Sequence, residues 1–78
     1  MSISTPSTAH LDSRLLASAT FDAGESQLLL EFCNGAIYLY FGIPEALYQN
    51  LLAADSKGAY FNRHIRNLFH YTCLRRPK

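Results

Sequence analysis

Gln27-Leu28-Leu29-Leu30-Glu31-Phe32-Cys33-Asn34-Gly35-Ala36-Ile37-Tyr38-Leu39-Tyr40-Phe41 is the stretch whose reading decides the fold. Residues 27–33 and 36–41 are rich in the aliphatic and aromatic residues that suit strands. Between them stands Asn34-Gly35, the pair that a two-residue type I′ turn favours because both of its central residues need positive φ. The reading is therefore a β-hairpin. A two-residue turn would set Cys33 against Ala36, Phe32 against Ile37, Glu31 against Tyr38, Leu30 against Leu39 and Leu29 against Tyr40. Side chains alternate across a sheet. In that register Leu28, Leu30, Phe32, Ile37, Leu39 and Phe41 form the core face, and Tyr38 and Tyr40 lie on the other face beside Glu31.

Upstream of the hairpin, Asp22-Ala23-Gly24-Glu25 supplies turn chemistry. Residues 15–21 read as a first strand, which makes a three-stranded antiparallel meander. Residues 1–13, Ser/Thr-rich at the start, read as a disordered leader. Downstream, Gly42-Ile43-Pro44 ends the sheet, and Pro44 suits the first turn of a helix. Leu47, Tyr48, Leu51 and Leu52 recur at helical spacing, predicting a helix over residues 44–54. Asp55 or Ser56 caps a second helix over residues 57–67, with Phe61 and Ile65 as its apolar stripe and Arg63 and Arg66 together on the opposite face. Gly58 is a poor helix former, and its place in the first turn points to a close approach there. Residues 70–74 are either a short closing strand or an irregular tail, and residues 75–78 a basic terminus. The expected fold class is α+β: a three-stranded meander followed by two helices on one of its faces, in one domain over residues 14–74.

The bulk properties narrow the function. Seventy-eight residues, 49% hydrophobic and 17% charged, describe an ordinary small globular domain with a thin core. No apolar run is long enough to span a bilayer, and the start lacks a basic segment followed by an apolar one, so the expected compartment is the cytoplasm. Cys33 and Cys73 lie far apart, form no CxxC pair and read as small buried hydrophobes. Net charge is +1 but lopsided. Residues 1–55 hold one basic residue, Arg14, against six acids, whereas residues 56–78 hold Lys57, Arg63, Arg66, Arg75, Arg76 and Lys78 and no acid. Such asymmetry suits an anion-facing end or a basic helix and tail packed near the acidic half of the same chain.

In order, the chain presents Phe21-Asp22, Glu31-Phe32, Gly35 before Tyr38-Leu39-Tyr40, Gly42-Ile43-Pro44, and Ser56-Lys57-Gly58-Ala59-Tyr60-Phe61-Asn62-Arg63-His64-Ile65-Arg66. This succession resembles the KTSC domain, a family named from the C-terminus of some lysyl-tRNA synthetases and also found as stand-alone bacterial or phage proteins. The resemblance covers roughly residues 13–71 and leaves out the basic tail Arg75-Arg76-Pro77-Lys78. It implies a domain of unestablished function, for which the synthetase context suggests RNA binding.

Chemistry by catalysis is not expected. Nucleophilic catalysis needs a Ser or Cys with a base in reach, and Cys33, Cys73, Ser56, His64 and His70 fall in no recognisable dyad motif. Ser56 reads as a helix cap, Ser56-Lys57-Gly58 lacks P-loop spacing, and the histidines and cysteines form no metal signature. The expectation is no enzyme, no cofactor and no metal. Nucleic-acid binding needs cations for phosphates and flat rings for bases. The candidate surface is Tyr38 and Tyr40 as a stacking platform, with Lys57, Asn62, Arg63, Arg66, Arg75 and Arg76 about it. Glu31, opposite Tyr38 in the two-residue register, would repel phosphate. The same tyrosines could instead widen a thin core. The expected partner is RNA or single-stranded nucleic acid. The alternative is a protein partner or a second copy docked on the sheet, as for a phage protein acting on a host factor.

Overall fold

The structure, a computed structural model, describes residues 7–78. Five strands form one antiparallel sheet in sequence order: β1 (Ser7–His10), β2 (Leu16–Asp22), β3 (Gln27–Phe32), β4 (Ile37–Phe41) and β5 (Tyr71–Arg75). Two helices, α1 (Glu45–Ala53) and α2 (Lys57–His64), cross from β4 to β5. The α+β class and the helices on one face agree with the sequence. The meander is larger than expected by a strand at each edge. The closing strand allowed for over residues 70–74 is present one residue on, at Tyr71–Arg75, and takes in Arg75 from the expected basic terminus. The expected leader over 1–13 contains β1, whose Thr8 and Ala9 pair with Thr20 and Ala19 of β2; residues 1–6 lie outside the described residues.

The hairpin register is one residue away from the expectation. Leu30 pairs with Tyr38, Leu29 with Leu39 and Leu28 with Tyr40. The connection is a three-residue loop, closed by bonds from the Phe32 amide to the Ala36 carbonyl (2.8 Å) and from the Gly35 amide to the Phe32 carbonyl (2.9 Å). Gly35 alone of the Asn-Gly pair has positive φ, at 93°. Asn34 instead folds its side-chain oxygen back to accept the Ala36 amide at 3.0 Å. This is the loop in which a turn is followed by one left-handed residue, not the type I′ turn.

The slip exchanges the two faces of β4, because the side-chain period is two. Tyr38 and Tyr40 stand beside Leu30 and Leu28 under the helices, and Tyr40 is 4% exposed. Ile37, Leu39 and Phe41, expected in the core, stand on the sheet's open face with Leu29 and Glu31. The expectation that the tyrosines face away from the core is therefore reversed. Leu28 and Leu30 keep their core places at 0% exposure.

In β2 an irregularity between Leu16 and Ser18 shifts the phase, so Leu16 is buried alongside Ala19 and Phe21. Serine 13 anchors the corner before it, its hydroxyl accepting the amides of Leu15 (3.1 Å) and Leu16 (3.2 Å). Above this surface α1 lays Tyr48 and Leu51, with Tyr48 stacked on Phe21 at a ring separation of 4.8 Å. Pro44 is the residue before α1 in extended backbone, one position earlier than the first helical turn. Ser56 caps α2, accepting the Ala59 amide at 3.2 Å. The close approach inferred at Gly58 is present: a Cβ there would sit 3.2 Å from Leu15 Cβ.

α2 ends at His64, earlier than the predicted Asn67. The chain turns at Asn67 (φ 65°), a conformation asparagine tolerates, after Ile65 has been buried completely. Cys33 and Cys73 are free thiols and exposed, which corrects their assignment to the core. Cys33 sits in the hairpin loop and Cys73 on β5, an edge strand covered by no further strand.

Candidate nucleotide-binding cleft

Because α2 stops early, it leaves β4 and β5 partly uncovered at its C-terminal end. The result is a cleft of about 350 Å³ between the sheet, the end of α2 and the C-terminal tail. Its sheet wall is Phe32 from β3, Tyr38 and Tyr40 from β4, and Tyr71 from β5. Phe61 and Asn62 of α2 and Arg66 and Asn67 of the following turn form the other wall, and Pro77 lies at the tail side.

The aromatic rings form one continuous cluster. Tyr71 leans on Tyr38 (5.4 Å) and Tyr40 (5.5 Å), while Phe61 meets Tyr40 edge-on at 5.7 Å and Phe32 at 5.3 Å. These separations fall within the favourable range for aromatic pairs. Exposure is graded across the cluster: Tyr40 is buried at its base, Tyr38 is half-buried, and Tyr71 is 53% exposed at the mouth. A flat ligand would therefore meet Tyr71 and Tyr38 first.

Burial pushes the Tyr40 phenol up to about 12, with the hydroxyls of Tyr38 and Tyr71 acting in the same sense and the Arg66 guanidinium against it. Tyr38 is also raised, first by the neighbouring Cys73 thiol and then by burial, again opposed by Arg66. Both phenols stay protonated at neutral pH and keep their O–H donors. Arg66 is the cation of the cleft, and its Nη1 donates to Asn62 Oδ1 at 3.4 Å. Among the described residues no Asp or Glu lines the cleft. Glu31, expected opposite Tyr38, pairs with Ile37 on the other side of the sheet.

Four of the eight candidate residues thus meet in one place: Tyr38, Tyr40, Asn62 and Arg66. The other four do not join them. Lys57 donates from Nζ to the Ala54 carbonyl (3.0 Å) and borders a separate depression that also contains Asp12 and Asp55. Arg63 is exposed on α2; with the helix ending at His64, it and Arg66 do not share a helical face. Arg75 reaches over the open face of the sheet, donating from Nε to the Gly35 carbonyl (2.7 Å) and pairing with Glu31 at 3.4 Å. Arg76 is exposed in the tail. Tyr71 is the most exposed ring among the cleft residues that sequence reasoning missed, which also include Phe32, Asn34, Phe61 and Asn67. Its signal was its place in the closing strand, where antiparallel pairing with β4 sets it beside Tyr40.

Among the described residues no group of three or more His, Cys, Asp or Glu side chains could hold a metal ion, and no helix is long and apolar enough to cross a membrane.

Comparison with known proteins places this geometry in a family. The KTSC domain family model matches residues 12–71. A protein of Tsukamurella paurometabola is 34% identical over 64 residues, covering 82% of this chain and 96% of its own length. A lysine–tRNA ligase of Nostoc sp. is 46% identical over 47 residues, or 60% of this chain but only 8% of the ligase. The crystal structure of a KTSC domain protein from Yersinia pestis superposes with a TM-score of 0.86 at 27% identity, covering 90% of this chain and 99% of that one. On these matches, and on the motif from Ser56 to Arg66 that builds the α2 wall of the cleft, the chain belongs to the KTSC domain family.

Proposed function

We propose that this protein is a small, non-catalytic, cytoplasmic module that binds RNA or single-stranded nucleic acid, with the cleft as the seat of one unpaired nucleotide. The observation that carries this reading is the composition of the cleft among the described residues: tyrosine rings, one arginine, asparagine amides and no Asp or Glu. Unpaired bases bind proteins by stacking on aromatic rings and guanidinium planes, and the phosphates beside them need cations. Arg66 supplies a cation at the cleft. The carboxylate that would have weakened a platform, Glu31, is held on the opposite face by Arg75. Several relatives are lysine–tRNA ligases, enzymes that act on an RNA, and they carry the matching segment as a small part of their length.

Fluorescence anisotropy of a labelled mixed-sequence RNA tests the reading. Binding at low salt that weakens as salt is added is expected, since phosphate contacts release counterions. Tyr71→Ala is expected to weaken binding by about 1–3 kcal/mol, the range for loss of one stacked base. Undetectable binding at low salt would refute the reading.

One observation favours a second reading, a protein-interaction or self-associating module. Leu29, Ile37, Leu39 and Phe41 share the sheet face that no helix covers, next to the edge strand β5. Apolar faces and open edges of this kind mark docking surfaces. Light scattering across a concentration series distinguishes the self-associating form: a monomer at all concentrations removes it.

A further inference from the structure

Most of the polar side chains at the rim of the cleft turn donors toward a ligand. Asn34, Asn62 and Asn67 line it, and in Asn34 and Asn62 the carboxamide oxygen accepts a hydrogen bond within the protein. Asn34 Oδ1 accepts the Ala36 amide at 3.0 Å, and Asn62 Oδ1 accepts from Arg66 Nη1 at 3.4 Å. A carboxamide whose oxygen already accepts one bond has one lone pair left, while both hydrogens of its NH2 group remain to donate. The guanidinium of Arg66 only donates. Among the described residues no Asp or Glu lines the cleft, so apart from the Asn67 carboxamide its mouth is rich in donors and poor in strong acceptors.

We infer that the cleft selects guanine among the unpaired bases, reading its O6/N7 edge with Arg66 and the Asn62 amide while the ring packs on Tyr38 and Tyr71. This rests on the nucleic-acid reading above and adds the identity of the base. Guanine presents two adjacent acceptors, O6 and N7, and arginine is the side chain whose fork matches them. Adenine presents N7 beside the N6 amino group, setting donor against donor at the same place. Cytosine presents its N4 amino group and meets the same conflict. The aromatic floor is indifferent to the base, because every base has a stacking face. Discrimination therefore falls on the rim. The raised Tyr38 and Tyr40 phenols, which stay protonated, add further donors.

The experiment uses the whole chain and a set of short labelled uridine oligonucleotides, each with one central guanosine, adenosine, inosine or 7-deazaguanosine. Anisotropy titrations at one fixed low salt concentration give the affinities. The guanosine probe should bind about tenfold or more tightly than the adenosine probe, within the range for one good bidentate base contact. Inosine, which keeps O6 and N7, should match guanosine. 7-Deazaguanosine, which lacks N7, should fall toward adenosine. In Arg66→Ala the guanosine preference should collapse while the protein keeps its circular dichroism spectrum and thermal midpoint. Equal affinity for guanosine and adenosine overturns the base assignment and leaves the nucleic-acid reading standing. Binding of none of the probes overturns both. The wild-type series decides the matter even if the variant fails to fold.

Discussion

Tyr40 and Leu39 are neighbours in β4 that point to opposite faces, and replacing each by alanine should have very different effects. Tyr40 is 4% exposed and packs on Phe61, Tyr71 and Tyr38. Truncation to alanine removes on the order of 100–150 Å² of buried ring, about 3 kcal/mol at about 25 cal/mol per Å². The aromatic neighbours are held by two strands and a helix and cannot close the gap fully, so a cavity term raises the cost to about 3–5 kcal/mol. Leu39 stands on the open face, half-buried between Leu29 and Thr72. Its truncation creates no enclosed cavity and should cost about 1 kcal/mol. A domain of this size has a total stability of about 4–12 kcal/mol, so Tyr40→Ala should be near the limit of folding and Leu39→Ala close to wild type. Urea denaturation followed by far-ultraviolet circular dichroism measures both; the slope should be unchanged for Leu39→Ala. In thermal melts the expected separation exceeds about 8 °C, at about 4–8 °C per kcal/mol. If Leu39→Ala is the more damaging variant, β4 is in the two-residue register and the cleft does not exist as described.

Three further outcomes are expected. The Tyr40 phenol is raised to about 12 in the folded protein from an ordinary value of 10, so the unfolded chain releases this proton first as pH rises. Stability should then fall between pH 10 and 12, with a limiting slope of about 1.4 kcal/mol per pH unit from this group; urea midpoints against pH should show a shallower decline in Tyr40→Phe, and an equal decline would show that other groups cause it. Ser56→Ala removes the acceptor for the Ala59 amide at the start of α2 and should lower the urea midpoint by the equivalent of about 1 kcal/mol. Cys33 and Cys73 are both exposed, so a thiol reagent should titrate two groups per chain without denaturant; protection of either until unfolding would contradict its placement.

The amino-acid sequence alone determined most of the local structure, for identifiable reasons. Helical spacing of Leu47, Tyr48, Leu51 and Leu52 located α1, and Ser56 declared the cap of α2. The strand-forming runs on either side of Asn34-Gly35 declared the hairpin, and the motif from Ser56 to Arg66 declared the family. Part of the cleft was also legible, because Tyr38, Tyr40, Asn62 and Arg66 are the residue types that bases and phosphates require. What tertiary structure decided was the side of the sheet on which the tyrosines stand. Every residue of β4 is apolar or aromatic, so alternation between polar and apolar positions could not choose its buried face. The choice passed to the turn, where one residue in left-handed backbone rather than two shifted the register by one and exchanged the faces. β1 and β5 were weak in sequence because edge strands bury little: every residue of β5 is exposed, and its pairing with β4 holds it in place. That pairing set Tyr71 beside Tyr38 and Tyr40 and sent Arg75 across the open face to Glu31. A platform open to solvent thus became a cleft, through contacts such as that of Tyr71 with Tyr38, 33 positions apart, which no local pattern encodes.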